Sequence, residues 1–189
     1  LRALHDVSEA NPGLVLLPCF SWDRIVLVPN GHPLTRVRDL TLAELARHPL
    51  VTYVFGTTGE SSFKRAFADQ GLEPNVVFTA RDADIIKTYV RMGMGVGILA
   101  PMAFECQDQK DLTALPAAGL FPRVTTWLGF RRDSVLRRYM VDFVALFAPH
   151  LTAQVTRRAA QLATQAEVDA MFDEATLPLK SGCDVSAAA

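Results

Sequence analysis

Leu14-Val15-Leu16-Leu17-Pro18-Cys19-Phe20-Ser21-Trp22-Asp23-Arg24-Ile25-Val26-Leu27-Val28-Pro29 decides how this chain is organised. It holds two apolar runs, Leu14 to Leu17 and Arg24 to Val28, each closed by a proline. Apolarity that is continuous rather than alternating marks strands buried on both faces. Only Cys19 to Asp23 lies between the runs, too little for a crossover helix. A chain that leaves one sheet and at once enters another has this pattern.

Downstream, strand and helix signals alternate. Thr41-Leu42-Ala43-Glu44 has the form of a capping box and predicts a short helix ending before Pro49. Leu50 to Phe55 is β-branched and aromatic, the composition of a strand. Thr57-Thr58-Gly59-Glu60 repeats the capping box, with Thr57 as N-cap, and predicts a helix to about Gln70 stopped by Gly71. Val76 to Thr79 reads as a strand. Asp82 or Ala83 opens a helix whose Ile85, Ile86, Tyr89 and Val90 share one face. Gly95 to Ala100 and Arg123 to Phe130 read as strands. Asp133 or Ser134 starts a helix with Leu136, Tyr139, Met140, Phe143, Val144 and Phe147 on one side. Leu151 to Phe172 is again helical in spacing, and the tail after Pro178 is small and polar.

This order predicts an α/β fold with mostly parallel sheets. The break at Cys19 to Asp23, with a return at Arg123 to Phe130, predicts two lobes joined by two crossovers. The cleft of such a hinge suits a small ligand.

Composition narrows the function. With 189 residues, 50% hydrophobic and 21% charged, the chain has a globular balance. Nineteen Lys and Arg against 20 Asp and Glu leave a net charge of -1, which argues against holding nucleic acid by phosphate neutralisation. No apolar run reaches the ~18 residues of a membrane span, so no membrane partner is expected. Cys19, Cys106 and Cys183 share no CxxC spacing, so neither a disulfide framework nor a zinc site is expected, and a reducing cytoplasm fits. Nucleophile-elbow, zincin and P-loop motifs are missing, so no enzyme, cofactor or metal is expected. Gly93-Met94-Gly95-Val96-Gly97 closes a helix and opens a strand, the reverse of a dinucleotide loop.

One stretch invites a ligand. Gly56-Thr57-Thr58-Gly59 follows a strand and precedes a helix. Unpaired N–H groups at a helix start, two hydroxyls and two glycines let a carboxylate or oxyanion approach the backbone. Plain N-capping by Thr57 is the simpler alternative. Trp22, at the expected crossing, is a candidate to line the cleft, with burial in a core as the alternative.

Several segments together resemble one family. Leu17-Pro18-Cys19-Phe20-Ser21-Trp22-Asp23-Arg24 and Val28-Pro29-Asn30-Gly31-His32-Pro33-Leu34 resemble the crossover of LysR-type transcriptional regulators. Phe55-Gly56-Thr57-Thr58-Gly59, Asp82-Ala83-Asp84-Ile85-Ile86-Lys87-Thr88-Tyr89-Val90 and Phe147-Ala148-Pro149-His150-Leu151 resemble the CysB-like branch, which governs sulfur assimilation.

The resemblance implies the inducer-binding domain of such a regulator, built like a periplasmic binding protein. Its inducers would be acetylserine or anions such as sulfate and thiosulfate, and the genes those of sulfur uptake and cysteine biosynthesis. It implies that Trp22 and Thr58 touch the cleft anion, with Gly56, Thr57 and Gly59 beside them. It also implies a homo-oligomer at full length, contacting promoter DNA through an N-terminal domain absent from this sequence. On this reading residues 1–21 and 123–150 form an incomplete first lobe and 22–122 the second. Residues 151–189 supply a C-terminal helix and a flexible tail. A stand-alone solute-binding protein of the same fold is the alternative.

Overall fold

The computed structural model describes residues 13–56 and 61–183. They fall into two units. The first takes residues 13–21 and 125–179, and the second takes 22–56, 61–124 and 180–183.

The second unit is built on a five-stranded sheet. Its strands are β2 (Ile25–Pro29), β3 (Leu50–Tyr53), β4 (Val76–Ala80), β5 (Val96–Leu99) and β6 (Leu112–Pro116), in the order β4-β3-β5-β2-β6. β3 runs parallel to β4 and β5, whereas β2 runs antiparallel to β5 and β6. The sheet is therefore mixed rather than mostly parallel, because the chain enters it through β2 without a crossover helix.

Val26 pairs with Ile98 on one side and Leu115 on the other, so the second apolar run is a central strand. Its side chains serve two cores. Val26 and Val28 pack with Leu42 and Leu45 of α1 (Leu42–Ala46) and Phe63 and Phe67 of α2 (Ser62–Ala68). Ile25 and Leu27 pack with Ile86 and Val90 of α3 (Ala83–Arg91) and with Phe104 and Leu112. Two cores on opposite faces are what a strand without alternation requires.

The Gly93 to Gly97 segment does three different things. Gly93 takes a φ of +71°, and the Gly93 and Met94 N–H groups bond back to Val90 and Tyr89, closing α3. At Gly95 a Cβ would stand 2.6 Å from the Pro49 carbonyl oxygen. At Gly97 it would stand 2.8 Å from Val90 Cγ2, so the missing side chain lets α3 lie against β5.

α3 also carries a buried ion network. Lys87 Nζ reaches Asp108 Oδ2 at 3.1 Å, with the two side chains 7% and 4% exposed. Asp84 lies 3.1 Å from the same ammonium, and Arg91 holds Asp108 at 2.6 Å and Asp111 at 2.7 Å. The Glu105 N–H donates to Asp108 Oδ2 at 3.0 Å. Burial alone raises the Asp108 carboxyl, but the Glu105 N–H, Arg91 and Lys87 outweigh it and hold the group below its usual value. Burial alone lowers Lys87, and its bonds to Asp108 and Asp84 outweigh that and hold it above. The network fixes the turn at Cys106–Lys110 onto the helix.

In the first unit β1 (Leu14–Trp22) pairs with β7 (Val124–Arg131). Val15, Leu17, Cys19 and Phe130 meet Val144 and Ala148 around α4 (Arg138–Phe147). Ala159 of α5 (Ala153–Gln161) and Val168 of α6 (Gln165–Asp169) close the same core. The Gln165 amide serves both backbone groups of Leu16, accepting from its N–H and donating to its carbonyl, each at 2.9 Å. A side chain thus satisfies a strand edge that would otherwise stay unpaired.

Several expectations are corrected. The helix after β3 begins at Ser62, not behind Thr57, and its cap is Ser61, whose hydroxyl accepts from the Lys64 N–H at 3.2 Å. The helix after β7 begins at Arg138, because Asp133 is engaged by Arg131 at 2.6 Å and Ser134 closes a turn onto the Arg131 carbonyl. The helical C-terminal stretch is two helices, separated where Thr164 and Glu167 form a new capping box. β6 has no counterpart in the sequence reading. Cys106 and Cys183 form a disulfide, against the expectation of none, since a separation of 77 residues says nothing of the 5.4 Å between their Cα atoms.

Two predictions test these packing arguments. Gly97→Ala should lower unfolding free energy by about 1–3 kcal/mol in urea titration, because the added methyl overpacks against Val90 and Ile86. Asp108→Asn should cost about 3 kcal/mol at neutral pH, since it leaves Lys87 buried without its main partner. Asp108 is held below its unfolded value, so its contribution is present at neutral pH and lost as pH falls through the folded value. Stability of the Asn variant should therefore fall less steeply on acidification, and an equally steep fall would contradict the account.

Candidate functional site

The candidate residues sit where β1 hands the chain to the second unit. Trp22 is the last residue of β1 and half-buried. Asp23 and Arg24 follow and lead straight into β2. Asp23 is paired with Arg123 through two contacts of 3.3 Å. Arg24 is held differently. Its Nη2 donates to Ser62 Oγ at 2.9 Å, its Nη1 donates to the Pro122 carbonyl at 3.2 Å, and its guanidinium carbon lies 5.4 Å from the centre of the Phe121 ring.

Those partners are neutral. Among the described residues no carboxylate stands against Arg24, and burial pulls its guanidinium down to about 10. It therefore carries a charge that its surroundings disfavour and that an anion would stabilise. The bond to Ser62 ties the residue two beyond Trp22 to the first residue of α2.

Gly56 precedes the same helix in the sequence. It closes the single turn Val54–Gly56 after β3, and its carbonyl accepts a hydrogen bond from the Ser61 hydroxyl. Thr52 Oγ1 donates to the Ile98 carbonyl at 2.9 Å and lies 3.6 Å from where a Gly56 Cβ would be. The turn follows the carboxyl end of a strand lying between two parallel neighbours, the edge at which open α/β sheets place ligands. Thr57, Thr58 and Gly59 lie outside the described residues.

The structure thus puts Trp22 and Gly56 in one unit and brings Arg24 to the start of α2. Arg24 and Ser62 were missed by sequence reasoning. The available signal was a cation abutting a fully apolar strand, since a charge at such a position needs a fixed partner. Among the described residues no cluster of His, Cys, Asp and Glu is arranged to hold a metal, and no helix is long and apolar enough to cross a membrane.

Comparison with known proteins places this geometry. The family described as LysR substrate binding domain matches residues 2–152. The transcriptional regulator CysB of Haemophilus influenzae is 47% identical over 167 residues, covering 88% of this chain and 51% of that protein. The regulator SsuR of Burkholderia cenocepacia is 46% identical over 146 residues, covering 77% of this chain and 47% of that protein. The crystal structure of the cofactor-binding domain of the Cbl transcriptional regulator superposes with a TM-score of 0.73 at 38% identity, covering 82% of this chain and 68% of that one. The chain spans about half the length of the curated relatives it matches. Its two units, the direct passage from β1 to β2 and these likenesses agree: the chain belongs to the family of LysR substrate-binding domains, in its CysB-like branch.

Proposed function

We propose that this chain senses the inducer of a LysR-type transcriptional regulator that controls sulfur assimilation and cysteine biosynthesis. The likeness to CysB, SsuR and Cbl carries the reading. The ligand is acetylserine or a sulfate-like anion, sulfate or thiosulfate. Trp22 and Thr58 contact it, with Gly56, Thr57 and Gly59 lending close backbone approach. The full-length protein works in the cytoplasm as a homo-oligomer and reaches promoter DNA through an N-terminal domain. The net charge of -1 supports assigning DNA contact to another part of the protein.

The chemistry of the crossover supports an anionic ligand. Arg24 offers a positive charge with neutral partners, and hydroxyl and backbone N–H donors can complete the shell of an oxyanion. Sulfate carries two negative charges, whereas acetylserine at neutral pH carries at most one, the O-acetyl form being a zwitterion and the N-acetyl form a monoanion. The two ligands should therefore feel Arg24 unequally.

Calorimetric titration of the full-length regulator with sulfate, thiosulfate and acetylserine tests the reading, and absence of binding by all three would overturn it. Thr58→Val should weaken binding roughly ten- to a hundred-fold, the worth of one hydrogen bond to a charged ligand, with little change in melting temperature. A large drop in melting temperature without selective loss of binding would make Thr58 structural. Arg24→Gln should weaken sulfate binding by at least about threefold more than acetylserine binding at low salt, with the difference shrinking as salt rises. Equal losses for the two ligands would remove Arg24 from the site's electrostatics.

A further inference from the structure

We propose that the Cys106–Cys183 disulfide is a redox-modification site, a latch that holds the chain after Leu179 on the second unit and releases it when a dithiol reduces the bond. The segment concerned is short and anchored at both ends. At one end the Ser21 N–H donates to the Pro178 carbonyl at 2.9 Å, and Leu179 forms a bridge with Ser21. At the other end Gly182 presses on the turn at Pro101–Ala103, where a Cβ would come within 2.0 Å of the Pro101 carbonyl oxygen. Next to it Cys183 packs beside the core of Ile86, Leu99 and Phe104, and its N–H reaches the Phe104 carbonyl at 3.5 Å.

One long backbone hydrogen bond and a 3.7 Å contact from Gln109 Nε2 to Cys183 Sγ are the polar links to Cys183. The partner cysteine sits on the turn at Cys106–Lys110, which the Asp108 network clamps to α3. The disulfide thus fastens the end of the segment at Cys183 to a turn that is itself clamped, so reduction removes the one covalent link and should loosen that end while leaving the turn in place.

Accessibility points the same way. Cys106 is exposed and Cys183 half-buried, while Cys19 is buried in the first unit with its thiol pushed up to about 11. Cys19 is therefore a poor nucleophile and does not compete for the pair. A dithiol thiolate attacks Cys106 Sγ, the S–S bond breaks, and Cys183 leaves as a thiolate. The second dithiol sulfur then displaces Cys106 from the mixed disulfide. The dithiol ends as a cyclic disulfide, two electrons pass to the cysteines, and its two protons end on Cys106 and Cys183.

The latch stands independently of any ligand. Its consequence for binding rests on the proposed role of Trp22, because Ser21, the residue that the segment grips, immediately precedes it.

The test uses the full chain, oxidised or treated with dithiothreitol, with Cys183→Ser and Cys106→Ser as permanently open forms. In denaturant the oxidised chain should show one thiol and the reduced chain three. Limited trypsin cleavage after Lys180, followed by mass spectrometry, should be at least about tenfold faster in the reduced chain and in both variants, with cleavage after Lys87 and Arg91 of α3 unchanged. Three thiols without reductant, or equal cleavage after Lys180 in both states, would overturn the latch. Sulfate titration of oxidised and reduced full-length regulator should show weaker binding on reduction by about threefold or more. A latch that opens with unchanged sulfate affinity would overturn its coupling to Trp22. Sulfate binding in neither state would count against the proposed function, while the cleavage result decides the latch.

Discussion

β2 is the strand on which the second unit depends. It lies between β5 and β6 and presents Val26 and Val28 to one core and Ile25 and Leu27 to the other. None of these side chains reaches solvent to any useful degree. A residue that is polar on either face would be buried without a partner, which is why this run tolerates no alternation. β2 is also the first strand the chain forms after Trp22. The constraint that builds the sheet therefore fixes where the candidate site begins: Asp23 and Arg24 are the last positions at which a charge can stand before the strand closes over on both sides.

Charged groups inside the unit obey the same rule. Lys87 sits on an otherwise apolar helix face and survives burial because Asp108 and Asp84 both meet it. Asp108 survives because two cations and a backbone N–H share its two oxygens. Such a network need not raise stability above what a hydrophobic replacement would give. What it does is fix position. The turn at Cys106–Lys110 has few apolar side chains to pack, so the ion pairs hold it against α3 and set Cys106 where the returning C-terminal segment meets it.

The parts legible in the sequence are those whose causes are local. The doubly buried run of β2, the N-cap at Thr41 and the helix-closing Gly93 each act within a few residues and are realised: the Thr41 hydroxyl accepts from the Glu44 N–H at 3.1 Å, although the Glu44 carboxylate turns to Arg47 rather than completing the capping box. Thr57 to Glu60 has the same letters, but Ser61 offers a second cap four residues on, and the helix starts there. Two caps that close together make the motif ambiguous, and tertiary packing of Phe63 and Phe67 against Phe121 selects the later one. β6 escaped because Leu112 to Pro116 is short and ends in proline, which is permitted only because it is the edge strand. Trp22 and Gly56 could be named from their neighbours in the chain. Arg24 offered only the weaker signal of a cation abutting an apolar strand, because the groups that hold it, Ser62, Pro122 and Phe121, are distant in sequence.

Asp23 and Arg24 show how position decides what a charge is for. They are adjacent, opposite in sign and able to neutralise each other, yet each faces a different partner. Asp23 has found Arg123, so that pair closes on itself and adds little to the local field at an exposed site. Among the described residues Arg24 is left with a hydroxyl, a carbonyl and a ring, which orient the guanidinium without cancelling it. Keeping an oriented cation half-buried among neutral described partners costs stability, and burial already weakens its hold on the proton. A stability-driven design would replace Arg24 with an apolar residue or move a carboxylate beside it. A binding protein has reason to keep it, because the energy withheld from the empty protein becomes available when an anion arrives, and preorganised charge is what lets a small site discriminate between ligands of different charge.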